Sequence, residues 1–119
     1  LSVDPRLEGH LERMLQATNR AIEFVGGLTE DQFLRDSVRQ HAVCMALVVC
    51  GENASRILEA FKSFATDHPE IEWRKIKGMR NIIAHGYFDL EFEIIYKTAV
   101  NMLPVLKLQL EALLHSTEI

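Results

Sequence analysis

The chain has only two cysteines, Cys44 and Cys50. They lie six apart in one helical stretch and point to different faces, so they cannot easily bridge each other. A disulfide scaffold is therefore excluded. Both thiols read as small buried hydrophobes, the usage of a reducing compartment. Linkers, internal repeats and low-complexity tracts are also missing, so residues 1–119 read as one domain with one core. The longest apolar run, AVCMALVVCG, is too short to cross a bilayer, and no signal-peptide pattern is visible. A cytoplasmic protein with no membrane partner is expected. Positive charge is in deficit, with 13 Lys and Arg against 17 Asp and Glu, a formal net charge of −4. A generally sticky, basic nucleic-acid binder is excluded, and any nucleic-acid partner must be held by a small local patch. His10, His41, His68 and His115 show no metal-ligand spacing with one another or with acidic residues, so no metal and no cofactor are expected. There is no Gly-rich phosphate loop, no serine nucleophile elbow and no Cys–His dyad. No segment alternates with period two, so no strand is expected.

What remains is helical periodicity. Asp4 caps a first helix with Pro5 at its first position, and Leu7, Leu11, Met14, Thr18, Ile22 and Val25 form its apolar face up to Gly26 and Gly27. Thr29 with Gln32 makes a capping box that opens a second helix, running to about Phe64. Phe33, Val43, Leu47, Cys50, Ala54, Ile57 and Phe61 line its inner stripe, and its length suggests a break near Gly51. A third helix runs from about Glu70 to Ala84 through Trp73, Ile76, Met79 and Ile83; Gly78 weakens it and Gly86 stops it. Asp89 caps the last helix, whose face is Leu90, Ile94, Ala99, Leu103, Leu106, Leu110 and Leu113; Pro104 should kink it. These elements predict an all-α, up-and-down bundle of four helices, or five if the long one breaks.

The stretch RNIIAHGYF, residues 80–88, carries the chemistry. Asn81 and His85 are four apart and share a helix face. Arg80 and His85 diverge by about 140° on an ideal helix. To act at one point, either the long Arg80 side chain reaches around, or a second copy of the chain supplies the other half. Imidazole moves protons near neutral pH, guanidinium forks onto phosphate oxygens, and an amide orients either. That set suits metal-independent cleavage of RNA. One histidine cannot be both base and acid in one displacement, but two from two protomers can. Glu52 interrupts an apolar stretch, and a buried carboxylate needs a partner, for which Arg80 or Asn81 is the candidate. Asp36 is a weaker candidate of the same kind. Arg74, Lys75 and Lys77 lead into the motif and form a candidate phosphate-tracking strip.

WRKIKGMRNIIAHGYFD resembles the signature of the HEPN superfamily, in its HepT-like toxin branch, with Arg80, Asn81, His85 and Tyr87 on the pattern Arg-x-x-x-x-His-x-Tyr. HPEIEW, CGENA and LTEDQFLRDSVRQHAV resemble that branch as well, in the right order along most of the chain. The resemblance implies a helical-bundle homodimer whose two motifs face a shared cleft. It implies a metal-independent endoribonuclease toxin, with Arg80, Asn81 and His85 catalytic. It further implies a nucleotidyltransferase antitoxin as partner, which silences the toxin by attaching AMP to Tyr87. The alternatives are a non-catalytic module that binds a nucleotide or the nucleotidyltransferase, and a purely structural dimerisation domain.

Overall fold

The local signals that close their own hydrogen bonds act as the sequence predicts. Asp4 accepts from the Arg6 backbone N–H at 2.8 Å, and Pro5 opens α1, Pro5–Val25. Gly27 follows with φ of +79°, a left-handed conformation that glycine adopts without strain. The capping box forms as drawn: the Gln32 backbone N–H donates to the Thr29 hydroxyl, and the Thr29 N–H to the Gln32 side chain. In this computed structural model, which describes residues 4–117, every regular element is helical.

The long second helix breaks, but not at Gly51. The capping box opens only a short α2, Glu30–Leu34. The Arg35 and Asp36 N–H groups then bond back three residues, to the Gln32 and Phe33 carbonyls, which tightens the turn and stops the helix. Asp36 restarts the chain by accepting from the Arg39 N–H at 3.0 Å, and α3 runs unbroken over Ser37–Ala60. A second stop at Phe61 leaves a short α4, Lys62–Asp67. The Trp73 indole donates to the His68 carbonyl at 3.0 Å, pinning the loop before α5, Trp73–His85.

Gly51 lies in mid-α3 because α5 needs the space. A Cβ there would collide with the Arg80 Cβ and sit 2.9 Å from the Ile76 carbonyl oxygen. Glycine serves here as a packing notch between two helices, not as a hinge.

The last helix also departs from expectation. Asp89 does not cap it; Asp89 ends a 3₁₀ turn, Tyr87–Asp89, and α6, Phe92–Lys97, begins without a side-chain cap. Its buried face starts at Ile95, while Ile94 is exposed. The helix is irregular ahead of Pro104. A π turn at Thr98–Met102 precedes it, with the Leu103 N–H bonded to the Thr98 carbonyl five residues back, and α7 continues over Leu103–Thr117. The wider turn absorbs the crowding a proline ring causes one turn upstream.

α3 packs against both α1 and α5, and α7 lies along α1. Leu11, Met14, Phe33, Val43, Ile57, Leu103 and Leu110 are the fully buried centre of the core. Cys44 and Cys50 are free and buried, with burial pushing both thiols up to about 11, so neither is a nucleophile at neutral pH. No helix among the described residues is long and apolar enough to cross a membrane.

Gly51→Ala tests the notch. Removing an interior helical glycine should raise helix propensity, but the overpacking against α5 should cost roughly 1–3 kcal/mol and dominate. Denaturant unfolding should show a net loss of stability; a gain would mean the helices do not meet here.

Candidate functional site

Arg80 leaves α5 towards α3 and is fixed there by two partners. Its Nε–H donates to Glu52 Oε2 at 3.0 Å, and a terminal nitrogen donates to the same oxygen. Its other terminal nitrogen donates to Asn81 Oδ1 at 2.6 Å. The carboxylate in the apolar stretch thus has a guanidinium, which lowers its pKa, chiefly by hydrogen bonding and with charge adding, against a desolvation that raises it. Three of the five guanidinium N–H groups are engaged in this way, which leaves two for a ligand.

Arg56 adds something the sequence reading did not single out. It pairs with the other oxygen of Glu52 at 3.3 Å, one helical turn on. Two guanidinium groups against one carboxylate leave this cluster with a net charge of about +1. The four-residue spacing from Glu52 was the available signal.

His85 is the last residue of α5 and is exposed. No hydrogen bond among the described residues links it to Arg80, as the angular divergence on one helix requires. Asn81, between them, engages Arg80 and not His85.

Tyr87 is half-buried in the 3₁₀ turn, and its hydroxyl oxygen is enclosed with no hydrogen-bond partner among the described residues. Its ring lies 5.3 Å, centroid to centroid, from His41 on α3. Burial, with Cys44 nearby, pushes the phenol above its ordinary range, so it is protonated at neutral pH. His41 itself is exposed. Nothing local in the sequence could have placed it beside Tyr87, because tertiary packing alone joins them. Phe88, next along the turn, is fully exposed.

Asp36 does not join this group. It caps α3 sixteen residues before Glu52, about 24 Å along the helix axis. Arg74, Lys75 and Lys77 all line an open groove of about 870 Å³ between α5 and the α3–α4 junction, across which stand Lys62 and Glu59. Lys75 is loosely paired with Glu72 at 3.9 Å. No group of three or more His, Cys, Asp or Glu among the described residues is arranged to hold a metal ion.

Comparison with known proteins identifies the family. Residues 14–113 match the family model described as "Ribonuclease HepT-like". The chain is 35% identical over 104 residues to the "Probable ribonuclease HepT" of Thermococcus cleftensis, covering 87% of this chain and 92% of that protein. It is 31% identical over 106 residues to the "Putative RNase TTE0752" of Caldanaerobacter subterraneus subsp. tengcongensis, covering 89% and 92%. No solved structure matches it. With the family model spanning residues 14–113, this chain belongs to the HepT-like ribonuclease family.

Proposed function

We propose that the protein is an endoribonuclease that cleaves RNA without a metal, at a composite site formed by two copies of the chain. The observation that carries this reading is the guanidinium of Arg80, fixed by Glu52 and Asn81, on the helix that ends in the exposed His85. In the reaction the 2′-hydroxyl of a ribose loses its proton and attacks the adjacent phosphorus. A bond from phosphorus to the 2′ oxygen forms, the bond to the 5′ oxygen breaks, and a proton is delivered to that leaving oxygen. The free N–H groups of Arg80 stabilise the added charge on the phosphoryl oxygens. His85 of one copy removes the proton and the same residue of the other copy returns one.

The open face of α3 supports the dimer. Val38, Met45 and Val49 form a stripe on it at helical spacing, exposed by 76%, 63% and 38%. Gly51 meets α5 near Ile76 and Arg80, while His41 meets Tyr87, so the two helices run antiparallel. His85 is therefore level with about Cys44 and Met45. A twofold axis through that stripe brings two His85 residues towards one cleft.

A nucleotidyltransferase partner that attaches AMP to Tyr87 would silence this site by adding bulk and negative charge two residues from His85. The hydroxyl is enclosed, so this transfer requires the Tyr87–Asp89 turn to swing outward. No hydrogen bond to the hydroxyl opposes that movement among the described residues.

His85→Ala should lower RNA cleavage by about 10²–10⁴-fold with the fold unchanged by circular dichroism, and EDTA should leave the wild-type rate intact. RNA binding without cleavage by the wild type would instead identify a non-catalytic module. Met45→Glu should convert a dimer to a folded monomer in sedimentation and abolish cleavage; an active monomer would exclude the composite site. Tyr87→Phe should be neutral or stabilising by up to about 1 kcal/mol, because an unpaired buried hydroxyl is removed. The same variant should escape AMP transfer, and its continued modification would reject Tyr87 as the acceptor.

A further inference from the structure

We propose that the solvent face of α5 is a track for single-stranded RNA leading away from the scissile phosphate, with Gly78 the notch the strand crosses and Lys62 an anchor beyond it. The inference rests on the nuclease reading above and deepens it. Arg74, Gly78, Asn81 and His85 recur at spacings of four, three and four, so they form one line along the outside of α5. That line is about 16 Å long. Gly78 stands in its middle.

Gly78 has no internal justification. Its φ is not in the left-handed region, which Gly27 alone occupies among the described glycines. A Cβ at Gly78 would meet nothing within 4 Å. Glycine inside a helix is destabilising relative to alanine, and here neither backbone conformation nor packing requires it. Gly51 shows the contrast, because there α5 fills the space. What a bare backbone on an open face provides is room for a ligand to approach closely.

The surroundings specify the ligand. Around Gly78, one turn to either side, stand Arg74, Lys75, Asn81 and Ile82. A notch for a protein helix would be ringed by apolar side chains, and here Ile82 alone is apolar. From Arg74 the line enters the groove shared with Lys77, Lys62 and Glu59. Lys75 is paired with Glu72, whereas Lys62, Arg74 and Lys77 have no ion-pair partner among the described residues. Three uncompensated cations thus face one carboxylate, Glu59, in a chain whose net charge is −4. A phosphodiester backbone is the partner whose charge and slenderness match both features.

The test compares wild type, Gly78→Leu and Lys62→Ala on a long single-stranded RNA and on a dinucleotide with the same scissile bond. Gly78→Leu should raise the melting temperature by about 4 °C, because it restores helix propensity without a clash. It should nevertheless cut kcat/KM on the long RNA by about tenfold and leave the dinucleotide rate unchanged. Lys62→Ala should cost about fourfold on the long RNA near physiological salt and lower the salt slope by about 0.7. A more stable protein that handles only the long strand poorly has no purely structural explanation. Variants that match wild type on the long RNA overturn the track, as do variants that lose both substrates equally. Wild-type protein that cleaves neither substrate defeats the nuclease reading itself, and the track falls with it.

Discussion

The close approach of α3 and α5 at Gly51 is the constraint on which the site depends. Any side chain at this position would push α5 outward at Ile76 and Arg80. Glu52, the next residue, would then lose its reach to the guanidinium. A guanidinium with 26% of its side-chain surface exposed has many rotamers, and fixing one of them costs conformational entropy. Glu52 and Asn81 meet that cost before any substrate arrives. A carboxylate so close would also drain the positive charge that a phosphate needs. Arg56 on its other oxygen restores it, so the cluster is rigid and still cationic.

The sequence disclosed most where the physics is local. The Asp4 cap and the Thr29–Gln32 capping box each satisfy backbone donors within three residues, and both were legible. Glu52 was half legible: a carboxylate among Val, Cys, Gly and Ala either finds a partner or faces water, and Glu52 does both, bonded to Arg80 and still 39% exposed. The break at Arg35–Asp36 was hidden because helical periodicity continues on both sides of it. Asp36 drew attention as a carboxylate when its role is to cap α3. Gly51 was misjudged since propensity describes an isolated helix, and the gap it fills exists only after α5 has docked.

The C-terminal rod illustrates the same limit differently. An apolar stripe read at spacings of three and four assumes 3.6 residues per turn throughout. The stripe through Ile94 and Ala99 breaks that rule with a step of five, and the structure buries Ile95 instead, four before Ala99 and eight before Leu103. Proline was a visible signal of disturbance, but whether the helix bends or widens depends on what α7 packs against. The pairing of His41 with Tyr87 lies further still beyond sequence, since it needs α3 and the turn after α5 to meet.

Electrostatics then separates this protein from ordinary nucleic-acid binders. With a net charge of −4, the chain as a whole repels a polyanion at long range. At physiological salt that field decays over about 8 Å, so it governs encounter more than docking. Within that distance a strand on the proposed α5 track would meet Arg74, Lys77 and the Arg80–Glu52–Arg56 cluster, where positive charge is in excess. Attraction is thus confined to ligands that fit the helix face closely enough to lie inside the screening length. Shape therefore precedes charge in selecting the substrate. On the proposed track a thin single strand would reach the cations, while a wider duplex would hold most of its phosphates outside their field. The same logic would make the proposed AMP on Tyr87 an effective block, since it would fill the narrow zone where attraction exceeds repulsion.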